Sequence, residues 1–285
     1  MKKHKNYDLW MHDDSELSSL LGSTIIQRHT IHEWPNSCVQ KITLKEGKSL
    51  IYKYQSGGMI ESSFYEQASS LILPETRTLW EDSWYSCMVI EYFDTPTFGQ
   101  PDIPESELLI ISAELLEAIS KIKGDFPVLL DISSYSKWAD MAGETLLRLR
   151  GLIENRRQYG SGIKDIEFME KKVISPSIKS YFRSKTGLIH GDLNGGNIFH
   201  RDGGLKLIDW QSCKLAPIEL DQASFLSRQG IDPSRYVSPE AAYMLYFVGI
   251  WWLVQCQTTL IPDGNFDERI TYFISRIKEV IDRNS

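Results

Sequence analysis

Two His-x-Asp triplets lie within one short segment of the chain, residues 188–210, LIHGDLNGGNIFHRDGGLKLIDW. They are His190-Gly191-Asp192 and His200-Arg201-Asp202. The carboxylate of such a triplet can orient an attacking hydroxyl group and accept its proton. The residues that follow each aspartate distinguish the two triplets, because this chemistry needs further groups at set distances along the chain.

The spacing favours Asp192. Asn197 follows it by five residues, and Asp209 follows Asn197 by twelve. The residues between them have the pattern of strand, turn and strand, so a hairpin is expected to bring this carboxamide and this carboxylate to one end. Such oxygen ligands suit Mg²⁺, which bridges nucleotide phosphates in phosphoryl transfer. Asp202 is followed at the same interval by Leu207, which cannot bind a metal ion, and we assign its triplet to the approach and tip of the hairpin.

Two residues near the first triplet have structural interpretations. We expect His190 to brace the loop by hydrogen bonding rather than to transfer a proton. We expect Asp221, in PIELDQASF, to cap a helix rather than to contact a ligand.

The motif resembles that of the aminoglycoside phosphotransferase and choline kinase superfamily, which are small-molecule kinases with the protein-kinase-like fold. HGDLNGGN at 190–197 and IDW at 208–210 carry the resemblance. These enzymes characteristically have Gly where protein kinases have Arg in the triplet, and often Asp-Trp where protein kinases have Asp-Phe-Gly. The resemblance implies Mg²⁺-dependent transfer of the γ-phosphoryl group of ATP to a hydroxyl of a small molecule, such as an aminoglycoside, an amino alcohol or a sugar-like compound. It leaves GTP open as an alternative donor.

A lysine on the third strand and a carboxylate on the following helix complete the expected set. Lys53 lies in the apolar and aromatic run SLIYKYQ, and we predict that it steadies the phosphates that are not transferred. Glu61 and Glu66 are the possible partners. Glu61 falls in the first helical turn, where it can complement the helix dipole. Glu66 is followed by the small residue Ala68, which permits close approach to the strand, so we predict Glu66.

The loop between the first two strands, HEWPNSCVQ at 32–40, is the candidate to cover the nucleotide. It has no glycine and so departs from the Gly-rich loop of protein kinases, but relatives often use a loop that contains serine. The hydroxyl of Ser37 is therefore the predicted phosphate contact, with an ordinary hairpin as the alternative.

The segment MVIEYF at 88–93 looks like the hinge of the kinase fold. The resemblance implies that adenine hydrogen-bonds the backbone of Glu91 and Phe93, with Ile90 behind the base. A stretch rich in Pro and Gly follows at 94–104 and is the best candidate for a linker.

The overall pattern predicts an α+β protein with two parts, in agreement with a two-lobed, protein-kinase-like fold. Residues 1–95 read as an antiparallel sheet with one helix at 59–73, where Ile60, Phe64, Ala68 and Leu71 have helical spacing. Residues 96–285 read as mostly helical. The expected helices cover 105–122, about 135–158, 165–181, a run from Ser238-Pro239 and a last one from about Asp267 to the end.

Composition limits the function further. The formal net charge of −7 argues against a nucleic-acid binder, which needs a basic face. The apolar run at 241–255 is too short to span a bilayer and indicates a buried helix. The four cysteines form no Cys-x-x-Cys pair, and the basic N-terminus has no apolar segment behind it, so we expect a cytoplasmic protein with buried, reduced thiols. We expect a monomer or weak homodimer that acts on a small molecule.

Two other functions compete with the small-molecule kinase. A protein kinase is disfavoured because no Ala-Pro-Glu segment follows Asp209 and the first triplet lacks Arg. A catalytically silent pseudokinase or scaffold is disfavoured because Lys53, Asp192, Asn197 and Asp209 are all present. The acidic residues Asp131, Asp140, Glu144 and Glu154 either attract an amine-bearing acceptor or form a solvated face.

Overall fold

A computed structural model describes residues 1–99, 103–156, 162–201, 204–262 and 264–283. The chain divides into two compact units. Unit 1 contains residues 1–99, 121–129 and 196–211, and unit 2 contains residues 100–120, 130–195 and 212–285. The first unit therefore extends past the predicted boundary at residue 95, and it includes two later segments that the sequence pattern assigned to the second part.

Twelve strands and nine α-helices occur within the described residues. The strands are β1 (Lys2–Lys3), β2 (Trp10–Met11), β3 (Ile25–Trp34), β4 (Ser37–Leu44), β5 (Ser49–Ser56), β6 (Thr76–Glu81), β7 (Tyr85–Glu91), β8 (Leu130–Asp131), β9 (Thr186–Ile189), β10 (Ile198–Arg201), β11 (Gly204–Leu207) and β12 (Lys214–Pro217). The helices are α1 (Asp14–Leu21), α2 (Glu61–Gln67), α3 (Glu105–Ser120), α4 (Tyr135–Arg156), α5 (Ile163–Val173), α6 (Pro176–Tyr181), α7 (Glu219–Arg228), α8 (Pro239–Gln255) and α9 (Asp267–Asp282).

Unit 1 is built on an antiparallel sheet with the strand order β3-β4-β5-β7-β6. Side chains alternate between the two faces of such a sheet. One face buries the core residues Cys38, Ile42, Tyr52, Tyr54, Cys87 and Val89 under Leu9 and Leu17. The N-terminal residues thus belong to the core of unit 1. Sequence patterns did not identify them, since β1 and β2 have two residues each and show no periodicity.

Helix α2 is shorter than the predicted helix at 59–73. It ends at Gln67, Ala68 has an extended backbone, and Leu71 is 91% exposed instead of lying on an apolar face. The chain leaves the helix because the backbone of Ser69 exchanges two hydrogen bonds with Lys123, at 2.7 and 3.1 Å. The segment 121–129 therefore replaces the helical hydrogen bonds that the sequence pattern predicted.

Strands β10 and β11 form the predicted antiparallel hairpin, in register from Ile198↔Leu207 to Arg201↔Gly204. Backbone bonds attach it to unit 1: Leu207 N–H donates to the Ile72 carbonyl, and Phe98 N–H donates to the Ile198 carbonyl. The tip at Asp202, to which we assigned the end of the second triplet, lies outside the described residues.

Unit 2 is mostly helical and contains a small sheet in which β12 pairs antiparallel with β9 and parallel with β8. The predicted helix at 165–181 is two helices, α5 and α6. The break comes at Ser175, whose Oγ caps α6 by accepting the Ile178 N–H, and at Pro176 in the first turn. The end of the helix expected at 135–158 lies outside the described residues.

The apolar run at 241–255 lies in α8, which begins at the predicted Ser238-Pro239 cap and contacts α4, α7 and α9. It is a buried helix, as predicted. Over the described ranges, no helix has both the length and the apolar character needed to cross a membrane. All four cysteines are buried and free.

Two of the leucines of α1, Leu17 and Leu20, test whether the N-terminal helix belongs to the core of unit 1. Leu17 is fully buried, whereas Leu20 is 44% exposed. We expect Leu17→Ala to lower the free energy of unfolding by about 3 kcal/mol, because it leaves a cavity against the sheet. Leu20→Ala, the matched control, is expected to change it by less than about 0.5 kcal/mol. Urea unfolding followed by tryptophan fluorescence measures both, and equal effects would contradict this packing.

Candidate active site

Lys53 is the centre of a buried cluster of charges within unit 1. Its Nζ lies 2.5 Å from Oε2 of Glu61 and 2.8 Å from Oδ1 of Asp209. Burial by itself would lower the pKa of Lys53, but the carboxylates of Asp209 and Glu61 outweigh burial and raise that pKa above its ordinary value. The ammonium group is therefore kept charged by its two partners.

The prediction that Glu66 pairs with Lys53 is wrong. Glu61 is fully buried and makes the ion pair, while Glu66 is exposed. Five positions along an α-helix correspond to a rotation of about 140° between the two side chains, so the helix can direct one of them toward Lys53 but not both. The first turn of α2 is the part that meets the strand. A role of Glu61 at the helix dipole is thus secondary to its ion pair.

Asp209 has an unusual backbone conformation. Its φ is +68°, and no other non-glycine residue in the described ranges has a positive φ. The next residue, Trp210, is fully buried, donates from Nε1 to the Leu207 carbonyl at 3.0 Å and stacks on Phe64 with ring centroids 4.7 Å apart. Phe64 belongs to α2, as does Glu61. The Trp210 ring therefore ties the strained turn at Asp209 to the helix that supplies the other partner of Lys53.

Asn197 lies at the same end of the β10–β11 hairpin as Asp209. Its carbonyl accepts the Ile208 N–H at 3.0 Å. The two strands of the hairpin are therefore still paired at the end where Asn197 and Asp209 lie. A carboxamide and a carboxylate are hard oxygen ligands of the kind that Mg²⁺ takes. Asp209 also engages a cation already, the ammonium of Lys53. The donor set at this end of the hairpin therefore fits a magnesium ion.

Two of the other predicted nucleotide contacts of unit 1, Ser37 and Ile90, share one face of the sheet with Lys53. The register pairs Ser37 with Gln55, and Ile51 with Ile90. Residues 51, 53 and 55 of β5 point to the same side because side chains alternate, and directly paired residues share a side. Ser37, Lys53 and Ile90 therefore lie on the same face of the sheet.

Ser37 follows a turn of only two residues between β3 and β4, and its hydroxyl accepts the Trp34 Nε1–H at 3.1 Å. The backbone N–H of Glu91 donates to the Glu75 carbonyl at 2.8 Å. Phe93 is buried and contacts Phe199, with ring centroids 4.9 Å apart. The predicted phosphate contact of Ser37 and the adenine contacts of Glu91 and Phe93 stay predictions.

Asp192 belongs to unit 2, where buried polar groups hold its loop. The carboxylate of Asp221 accepts the backbone N–H groups of His190 at 2.6 Å and Gly191 at 2.9 Å. The Asp192 N–H donates to Nδ1 of the fully buried His190 at 3.3 Å. His190 braces the loop, as expected. Asp221 does not serve as a helix cap, because its side chain anchors the loop backbone instead.

The Asp192 carboxylate also has a cationic neighbour. Nη2 of Arg228, in the last turn of α7, lies 3.2 Å from Asp192 Oδ1. Neither Arg228 nor Asp221 was identified as a site residue from the sequence, because they follow the triplet by about thirty residues or more and no local pattern connects them to it. The convergence of Asp192 with Asn197 and Asp209 stays a prediction.

A second cluster of possible metal ligands lies in unit 1, where donor atoms of His4, Glu33 and Cys38 are within 4.8 Å of one another. Nδ1 of His4 accepts the backbone N–H groups of Asn6 and Tyr7, each at 3.2 Å. The ring proton is therefore on Nε2, which hydrogen-bonds Glu33 at 3.2 Å. A metal ion would have to displace that proton, so the tautomer disfavours metal binding.

Comparisons with known proteins show which folds and which family this chain resembles. Solved structures with a similar fold include a thermostable mutant of the aminoglycoside phosphotransferase APH(4)-Ia in ternary complex with ADP and hygromycin B, at 14% identity, TM-score 0.62 and coverage of 94% of this chain and 97% of that one. A choline/ethanolamine kinase family protein from Mesorhizobium loti is 12% identical, with TM-score 0.59 and coverage of 90% and 88%. The macrolide 2'-phosphotransferase type I is 14% identical, with TM-score 0.58 and coverage of 94% and 98%.

These likenesses show the predicted fold, an α+β, two-lobed, protein-kinase-like architecture. A search of curated proteins finds no match. A family model described as the phosphotransferase enzyme family matches residues 77–244, which include Asp192, Asn197 and Asp209. Because this match covers more than half of the 285 residues, the chain belongs to the phosphotransferase enzyme family.

Proposed function

We propose that this protein transfers the γ-phosphoryl group of ATP to a hydroxyl group of a small molecule in the presence of Mg²⁺. The observation that carries the proposal is the buried ion-pair cluster of Lys53 with Glu61 and Asp209. A lysine held in this way is suited to contact the phosphates that are not transferred. Membership of the phosphotransferase enzyme family supports the reaction class.

The face of the sheet around Lys53 supports the nucleotide assignment. Ile90 lies two residues from Met88, the in-register partner of Lys53. It offers an apolar surface for a purine base. The backbone of Glu91 and Phe93 is assigned to adenine, as the family resemblance implies. The Ser37 hydroxyl on the same face is assigned to a phosphate. ATP is the proposed donor, with GTP as the alternative.

Asp209 and Asn197 are the proposed ligands of Mg²⁺. They would hold the ion where it could neutralise negative charge on the nucleotide phosphates. The turn at Asp209 is held by the buried Trp210 ring, and Asn197 is held by its backbone bond to Ile208. These contacts restrain the backbone at both proposed metal ligands, which supports the proposal because less reorganisation would be needed for catalysis.

Asp192 is the proposed base. It would orient the acceptor hydroxyl for in-line attack and accept its proton. Its loop is held by Asp221 and His190, so the carboxylate is presented from a fixed backbone. The ion pair with Arg228 restrains one carboxylate oxygen.

The acceptor is proposed only as a small molecule with a hydroxyl group. Relatives with a similar fold were crystallised with hygromycin B and with spectinomycin. Two acidic residues that might have attracted an amine are already paired: Asp131 with Lys137, and Glu144 with Arg148, each at 2.5 Å. These pairs support the solvated-face interpretation of those two carboxylates.

A coupled ADP-release assay over amino alcohols, aminoglycosides and amino sugars, with Asp192→Asn as the test variant, checks the reaction and the base. We expect turnover to fall by a factor of about 100 to 10,000, because the hydroxyl loses its proton acceptor. ATP affinity is expected to stay within about twofold of wild type, since the base contacts the acceptor and not the nucleotide.

Asp202→Asn changes the second triplet and is the matched control, with turnover expected to be unaffected. Wild-type turnover in Asp192→Asn would contradict the assignment, and a wild type that binds ATP yet uses no acceptor would favour a scaffold.

Asp209→Ala tests the metal site. We expect this variant to lose the Mg²⁺ dependence of nucleotide binding, because the main anionic ligand of the ion is gone. Calorimetric titration of ATP with and without Mg²⁺ measures the effect. Asp82→Ala, at an exposed hairpin turn, is the control and should bind as wild type does. If Mg²⁺ still strengthened ATP binding to Asp209→Ala, the ion would have to bind elsewhere.

The pair Glu61→Gln and Glu66→Gln tests which glutamate supports Lys53. Glu61→Gln removes a charge that compensates a buried ammonium, so we expect KM for ATP to rise at least about tenfold. Glu66 is exposed, and its variant should stay within about twofold of wild type. Steady-state kinetics at varied ATP measure both. The opposite order of effects would restore Glu66 as the functional partner.

A further inference from the structure

Lys214 is a buried cation that the proposed mechanism does not use. It is the first residue of β12 in unit 2, and its relative exposure is 3%. Its Nζ donates to the carbonyl of Ser212 at 2.6 Å and to that of Gly191 at 3.4 Å. Lysine is almost never this deeply buried unless it is paired, so these contacts need an explanation.

The Lys214 ammonium occupies the space beside the glycine of the first triplet. Gly191 has φ +79°, and a Cβ built on it would lie 2.1 Å from the Ser212 carbonyl oxygen and 2.4 Å from Lys214 Nζ. A side chain at position 191 is therefore excluded by contacts as well as by backbone conformation. The lysine and the glycine form one packing arrangement, in which the ammonium bridges two carbonyls that are 21 residues apart along the chain.

The same ammonium balances the carboxylates that surround the loop. Burial lowers the pKa of Lys214 to about 8, against the opposing effects of Asp221, Asp192 and the Cys213 thiol. Burial likewise raises the pKa of Asp221, and His190, the two loop N–H groups and Lys214 oppose that rise. The loop anchor Asp221 is thus held between backbone donors and a cation. Without the lysine, a fully buried carboxylate would lose part of its compensation.

We propose that Lys214 is a positioning residue for the loop that carries Asp192. Its ammonium holds the carbonyls of Gly191 and Ser212 and, with Asp221, fixes the backbone from which the Asp192 carboxylate projects. The consequence for turnover rests on the proposed function, while the consequence for loop order does not. Because Lys53, Asn197 and Asp209 belong to the other unit, loss of Lys214 should affect turnover and not nucleotide affinity.

Hydrogen exchange of the full-length protein tests the loop directly, with Lys214→Met as the variant. The methionine has similar length but no charge and no donor. We expect the amides of His190 and Gly191, which bond Asp221, to exchange at least about tenfold faster, while the rest of unit 2 keeps its protection. Lys278→Met removes an ion pair of α9 with Asp165 and is the matched control. Unchanged exchange in the loop of Lys214→Met would overturn the proposal.

Kinetics separate positioning from a general loss of structure. For Lys214→Met we expect kcat to fall about ten- to a hundredfold with KM for ATP within about twofold, and Lys278→Met should match wild type. Equal damage to both constants, or an undiminished kcat, would overturn the role of Lys214. If wild type used no acceptor at all, the proposed function would fail while the exchange result would still decide the loop.

Wild-type protein alone supplies a version of the test that does not depend on a variant folding. The pKa of Lys214 in the folded protein is about 8, below the ordinary 10.5, so rising pH removes the ammonium while an unfolded lysine would keep it. Opening that hydrates Lys214 therefore takes up a proton above this pH, so protection of the loop amides, corrected for the intrinsic pH dependence of exchange, should rise as pH rises through about 8. Constant or falling protection across this range would overturn the link between Lys214 and the loop.

Discussion

The burial of one ammonium group between two carboxylates is the constraint on which unit 1 depends. A charge removed from water is costly unless partners compensate it, and removing one partner of a buried pair typically costs about 3–5 kcal/mol. Lys53 comes from the middle of the sheet, Glu61 from the first turn of α2, and Asp209 from the end of the β10–β11 hairpin. Two elements that are neighbours in sequence, β5 and α2, must therefore meet a third that supplies a residue 156 positions beyond Lys53. The stack of Trp210 on Phe64 adds an apolar contact that keeps the second and third of these elements together.

Unit 2 compensates its buried carboxylate, that of Asp221, in a different way. Asp221 is compensated by His190 and by backbone N–H groups of the loop that it holds, and the cation Lys214 bonds carbonyl oxygens of the same loop and of Ser212. Backbone donors and acceptors have fixed directions, so they determine the loop conformation more tightly than an ion pair between flexible side chains does. This arrangement suits a loop whose task is to present one carboxylate, that of Asp192, in a constant position.

The features that could be predicted from sequence are those whose signal is local. The hairpin between Asn197 and Asp209 is a strand-turn-strand pattern, and Lys53 stands out as a charge in an apolar strand. The partner of Lys53 depended on which turn of α2 meets the strand, and no local pattern shows this. The end of α2 is decided by the backbone pairing of Ser69 with Lys123, 54 positions away. Asp221, Lys214 and Arg228 reach the Asp192 loop only through tertiary structure. The two-residue strands β1 and β2 are too short for any periodicity to appear.

Unit 1 is discontinuous along the chain, and this has a consequence for biosynthesis. Residues 1–99 emerge from the ribosome early. The hairpin that supplies Asp209 and the Trp210 ring belongs to residues 196–211. About three quarters of the polypeptide must emerge before the sheet can acquire its last neighbours. Until then a nascent Lys53 has Glu61 as partner but lacks Asp209, and Phe64 lacks its stacking ring. Unit 1 can therefore complete its core only after residue 211 has been synthesised, late in translation.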